Sequence, residues 1–144
     1  MTWSFKHSAE VKVNREYAWN FRTSVENWVL DPAIEWVTLD GPFQAGVKGT
    51  TKTIGSELVR WEIVSVDAGE GAVIEIPMPG AVARFSWSFE ELANDCTRIT
   101  QEITLIGERA NSYAGQMDAG FEQGIKEGMD RLCAEMEQSM ADGN

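Results

Sequence analysis

Histidine is almost absent from this chain, with one in 144 residues, and cysteine is limited to two. A Ser-His-Asp or Cys-His nucleophilic site would have to rest on His7 alone. A histidine-rich zinc site cannot be assembled, and Cys96 and Cys133 stand at no metal-binding spacing. No metal and no cofactor are expected. Basic residues are also few: 12 Lys and Arg against 23 Asp and Glu, a formal net charge of −11. The acid is concentrated in residues 73–144, which carry 5 basic and 13 acidic side chains, against 7 and 10 in residues 1–72. Such a surface repels phosphate backbones and anionic lipid, which argues against nucleic acid as a partner. No apolar run approaches the roughly 20 residues of a membrane span. The first residues alternate apolar and polar and have no signal-peptide core. The two cysteines are therefore expected to be free thiols of a cytoplasmic protein.

What the chain does have is aromatic side chains: six Trp, six Phe and two Tyr. At 43% hydrophobic and 24% charged, it suits one globular domain spanning 1–144. Trp3, Phe5, His7, Ala9, Val11 and Val13 alternate with polar residues, as in an amphipathic strand over 2–13. Tyr17, Ala18, Phe21, Val25, Trp28 and Val29 recur at helical spacing. Thr23-Ser24-Val25-Glu26 matches a capping box, which predicts two short helices meeting near Thr23. Asp31-Pro32 ends the second of them. Six further strands are predicted over 33–39, 47–54, 57–66, 71–77, 82–92 and 96–106, separated by Gly, Pro, Asn and Asp clusters. Their connections are too short for parallel crossovers, so the sheet is antiparallel. One long helix is predicted over 112–138, with Met117, Phe121, Ile125, Met129, Leu132 and Met136 on its buried arc. Lys126, Glu127, Asp130 and Glu137 then face solvent.

Hairpin parity assigns the faces, because a slip of one residue turns a strand inside out. A three-residue loop at Ala93–Asp95 sets Phe89 opposite Ile99, Trp87 opposite Gln101 and Phe85 opposite Ile103. It also sets Glu90 opposite Arg98 on the other face, a favourable cross-strand pair. A two-residue loop would oppose the aromatic residues to Thr100 and Glu102, a poor core. Similar bookkeeping aligns Trp61 and Ile63 with Ile76 and Ile74. The single sheet needs its apolar face covered, and only the last helix is long enough to cover it. A curved sheet cannot touch a straight helix everywhere, and the gap is the natural place for a ligand.

This order of elements, with its local signatures, resembles the START and Bet v 1-like (SRPBCC) superfamily. The resemblance is carried by 9–13 running into 14–21, then Trp28-Val29-Leu30-Asp31-Pro32, Trp36-Val37-Thr38-Leu39-Asp40-Gly41, Gly46-Val47-Lys48-Gly49-Thr50, and Cys96-Thr97-Arg98-Ile99-Thr100 before the last helix. It implies an α+β helix-grip fold, a seven-stranded curved antiparallel sheet gripping the long C-terminal helix around an apolar cavity. Members bind lipids, sterols, polyketides and quinone-like molecules; some are polyketide cyclases or dehydrases, others activators of chaperone ATPases. The resemblance implies a fold more directly than a chemistry.

The expected ligand-binding residues are His7, Trp61, Phe85, Trp87, Gln101, Met117 and Phe121. Only His7 and Gln101 among the inward strand residues are polar enough to orient a ligand. His7 is either a general acid or base or a strand histidine bonded to its surroundings; Gln101 either holds a ligand or satisfies Trp87 or His7. Asp118 is the other weak catalytic candidate, against a solvated acid near the helix start. Trp19, Trp28 and Trp36 either line the cavity or fill the core. Gly120, Gly124 and Gly128 form a smooth strip that another backbone, a ligand or a partner could approach. The favoured function is binding or transport of a hydrophobic small molecule, without catalysis. The alternatives are a cyclase or aromatase-like enzyme using the same cavity, and an interaction module like the chaperone activators. The oligomeric state stays open, a homodimer included.

Overall fold

The computed structural model describes residues 2–31, 34–55, 58–115 and 119–142, and the side chains of these except Thr2 and 119–121. Seven strands form one sheet: β1 (Thr2–Val11), β2 (Ile34–Leu39), β3 (Lys48–Thr53), β4 (Leu58–Asp67), β5 (Gly71–Met78), β6 (Ala81–Leu92) and β7 (Cys96–Ile106). Their order is β1-β7-β6-β5-β4-β3-β2, and every adjacent pair is antiparallel. Helix α1 (Arg15–Thr23) and a 3-10 helix (Val25–Leu30) follow β1. Two helices follow β7, α2 (Ala110–Ala114) and the long α3 (Ala119–Asp142). This is the helix-grip architecture that the resemblance implies.

The register follows the parity argument. Phe89 faces Ile99, Trp87 faces Gln101, Phe85 faces Ile103 and Glu90 faces Arg98. The loop between them is Ala93–Asp95, with Asn94 at φ 63° and Asp95 at φ 57°. Asn and Asp are among the few side chains that tolerate this left-handed conformation. On the outer face Arg98 bonds Glu90 at 2.9 Å and Glu10 at 3.2 Å. These pairs are exposed and contribute little stability. Ile63 faces Ile74 as expected, and a bulge at Val64 shifts the register beyond it.

Gly49 shows how tightly the sheet holds one aromatic side chain. It pairs with Trp61, and a Cβ at Gly49 would overlap the indole ring. Trp61 therefore lies flat across β3, where its Nε1–H donates to Thr51 Oγ1 at 2.9 Å.

The main core joins the sheet's inner face to α1 and α3: Val11, Ile63 and Met136 are 0% exposed. Tyr17 Oη donates to Ser139 Oγ at 2.7 Å and ties the two helices together. Thr97, also 0% exposed, donates Oγ1–H to the Val13 carbonyl at 2.8 Å, which explains a hydroxyl in the core.

Several expectations are corrected. The continuous helix over 112–138 is two helices: α2 ends at Gly115, whose N–H bonds the Asn111 carbonyl, and α3 runs on to Asp142. The capping box is not formed. Thr23 and Ser24 donate instead to the carbonyls of Trp19 and Asn20, four residues back in α1. Met129 and Met136 are buried, as expected, whereas Ile125 and Leu132 are half-buried because they border a cavity. Lys126, Glu127 and Asp130 are exposed, but Glu137 is not a free solvent-facing acid: its Oε2 accepts the Lys12 N–H at 2.9 Å.

Candidate functional site: an aromatic cavity under the long helix

Inward side chains of β4 to β7 form the floor of a cavity of about 480 Å³. That size is typical of small-molecule sites. Trp61, Ile74, Ile76, Phe85, Trp87 and Gln101 come from the strands. Ile125, Met129 and Leu132 come from α3, and Phe21, Arg22 and Trp28 close the end beneath α1 and the 3-10 helix. Trp28 stands 5.2 Å from Trp61 and 5.9 Å from Trp87, centroid to centroid, and Trp87 stacks on Phe43 at 5.9 Å. These contacts make a continuous aromatic wall.

Four of the expected binding residues, Trp61, Phe85, Trp87 and Gln101, therefore come together in the wall. His7 pairs with Gln101 across β1 and β7, and Gln101 pairs with Trp87 across β7 and β6. The three stand in one row on the inner face. His7 does not itself line the cavity. Its Nε2 and the Nε1 of Trp87 are buried and have no hydrogen-bond partner among the described residues. Two such atoms flanking one amide leave a polar strip in an otherwise apolar floor. Met117 and Asp118 lie outside the described residues, as does the side chain of Phe121.

The three tryptophans of the helical region divide. Trp28 lines the cavity, whereas Trp19 packs edge-on to Phe43 and Phe89 at 6.3 and 5.5 Å. Trp36, on the edge strand β2, is exposed. The glycine strip of α3 is not a close approach to another backbone. A Cβ at Gly124 or Gly128 would meet nothing within 4 Å, and both residues border the cavity. Glu135 also borders it.

Arg22 is the residue that the sequence reading missed. Its guanidinium carbon lies 4.2 Å from the Trp87 ring centroid and 5.3 Å from that of Trp28. Desolvation pushes its pKa down to about 10, partly opposed by the charge of Asp31. The side chain is half-buried by surface yet surrounded by protein, the combination expected of a group inside a cavity. A signal was present: Ala18, Phe21, Arg22 and Val25 stand at the i, i+3, i+4, i+7 spacing of one helix face.

Cys133 is no nucleophile. Burial, with the charges of Asp130 and Glu137, pushes its thiol up to about 11. Among the described residues no cluster of His, Cys, Asp and Glu could hold a metal, and no helix is long and apolar enough to cross a membrane.

Comparison with known proteins finds the same fold elsewhere. No curated protein matches the chain in sequence. The fold is shared with truncated norcoclaurine synthase from Thalictrum flavum, at 13% identity, TM-score 0.73 and 92% of each chain covered. It is shared with the Zhui aromatase/cyclase from Streptomyces sp. R1128, at 11% identity and TM-score 0.78, covering 97% of this chain and 96% of that one. It is shared with Ara h 8.0201, at 13% identity and TM-score 0.73, covering 99% of both. At these identities the likeness is one of fold. A family model for polyketide cyclase/dehydrase and lipid transport proteins matches residues 2–137, almost the whole chain, and the protein belongs to that family.

Proposed function

We propose that this protein binds and carries a hydrophobic small molecule in the cavity between its sheet and α3. The observation that carries the reading is the cavity itself: about 480 Å³, walled by Trp28, Trp61, Phe85 and Trp87, with few groups that titrate near neutral pH. Burying apolar ligand surface there releases roughly 25 cal/mol per Å² removed from water. A rigid aromatic wall loses little side-chain entropy on binding. Native mass spectrometry and solvent extraction of the purified protein test the proposal. A co-purifying hydrophobic compound is expected, or else saturable binding of an apolar probe. Protein that is consistently empty and has no affinity for apolar or aromatic probes would overturn it.

A second reading, a cyclase-like enzyme, is favoured by the unpartnered Nε2 of His7 beside Gln101. In it, the cavity folds a reactive chain and His7, one strand behind the lining residue Gln101, exchanges a proton with that chain through a water. Its test is a His7→Ala protein assayed on any substrate found; full retained turnover removes His7 as the acid or base.

A further inference from the structure

The cavity wall holds a cation, Arg22, that has no ion-pair partner among the described residues. Among the described residues the Arg22 guanidinium makes no ion pair and donates no hydrogen bond; the contact recorded at Arg22 is its backbone carbonyl accepting Trp28 Nε1–H at 2.8 Å. Asp31 acts on it through its charge, but the Asp31 carboxylate sits 3.6 Å from Arg131. Desolvating a guanidinium without a partner is unfavourable, and two indole faces recover only part of that cost. A second donor, Trp87 Nε1–H, belongs to the same ring that Arg22 covers, and among the described residues it too has no hydrogen-bond partner. Gln101, opposite Trp87, adds an amide.

We propose that Arg22 receives the anionic head of the bound ligand, and that this ligand is a hydrophobic monocarboxylic acid whose body lies against Trp61, Phe85 and Trp87. The inference rests on the ligand-binding reading above and names its ligand class. A carboxylate matches the planar fork of a guanidinium, which binds it through two parallel hydrogen bonds. One negative charge suits the site better than two. Arg22 supplies a single positive charge, and the other charged residues at the wall, Asp31, Glu135 and Arg131, add no net positive charge. A phosphate dianion would be left partly uncompensated beside those acids. The aromatic end walls favour a ring-bearing body over a bare chain, since stacked rings gain beyond their buried area.

The test is competition against a neutral reporter, N-phenyl-1-naphthylamine, whose fluorescence rises in an apolar site. Two competitors of nearly equal shape are compared at pH 7.5, 1-naphthaleneacetate and the uncharged 1-naphthaleneacetamide. Wild-type protein should be emptied of reporter by the acid at roughly tenfold lower concentration than by the amide. In Arg22→Met that preference should fall to about twofold or less, and Arg22→Lys should restore part of it. A reporter that binds wild-type protein but is displaced equally by acid and amide overturns the Arg22 assignment and leaves the ligand-binding reading standing. A preference for the acid that survives undiminished in Arg22→Met overturns it as well. A reporter that never binds overturns both. Should Arg22→Met fail to fold, the wild-type ratio and the Arg22→Lys protein decide the matter.

Discussion

Replacing Arg22 by Met should make the empty protein more stable. Desolvation pushes the native pKa of Arg22 down from the ordinary guanidinium range to about 10. At about 1.4 kcal/mol per unit this amounts to roughly 3 kcal/mol against the folded state. Stacking on Trp87 and Trp28, at 4.2 and 5.3 Å, returns about 0.5–2 kcal/mol. Met has a similar reach, fills the same wall and carries no charge. The expected net gain is about 1–2 kcal/mol at pH 7. Because the folded pKa is depressed, the penalty is fully present below about pH 10. It is relieved as pH rises above about 10 towards the ordinary guanidinium range, where the unfolded chain holds its proton more tightly than the native one. Urea unfolding followed by far-ultraviolet circular dichroism measures the gain, which should narrow between pH 9 and 11. An Arg22→Met protein less stable than wild type by about 1 kcal/mol or more would refute the reasoning. It would show that the guanidinium is a structural tie.

Three further outcomes are expected. Met136→Ala, at a position 0% exposed, should cost about 2–5 kcal/mol in urea unfolding, whereas Leu132→Ala at the half-buried cavity border should cost about 1–2 kcal/mol. Thr97→Val keeps the shape but strands the buried Val13 carbonyl, so its unfolding free energy should fall by about 1–3 kcal/mol. Gly128→Ala should raise thermal stability, by up to about 1 kcal/mol, because a Cβ there meets nothing and helix propensity improves. Calorimetry showing Gly128→Ala strongly destabilised would mean that the strip touches something other than open space.

Much of the fold was legible because two-residue periodicity and loop length constrain each other. In β6 and β7 a three-residue loop, unlike a two-residue one, keeps Phe85, Trp87 and Phe89 on the side of Ile99 and Ile103, so register followed from counting. The same counting set Trp87 opposite Gln101, but not the β1–β7 pairing that brings His7 beside Gln101, because no short hairpin joins those two strands. The division of the last helix was not legible, since apolar spacing runs through Met117 and Phe121 without interruption. The capping box failed because Thr23 and Ser24 hydroxyls compete for carbonyls one turn back. Trp36 was weighed for the cavity with Trp28, but burial of a sheet-edge residue depends on what covers it. Arg22 was passed over because charge normally marks a solvated face. Its helical phase with Phe21 and Val25 carried the opposite information.

A crystal structure of the wild-type protein with N-phenyl-1-naphthylamine tests the central claim most directly. The account predicts the naphthalene ring inside the cavity, between Trp61 and Phe85 of the sheet and Met129 of α3, with Trp28 at its end. A probe found only on the outer surface, for instance against the exposed Ile54 and Leu58, with the cavity empty, would contradict it.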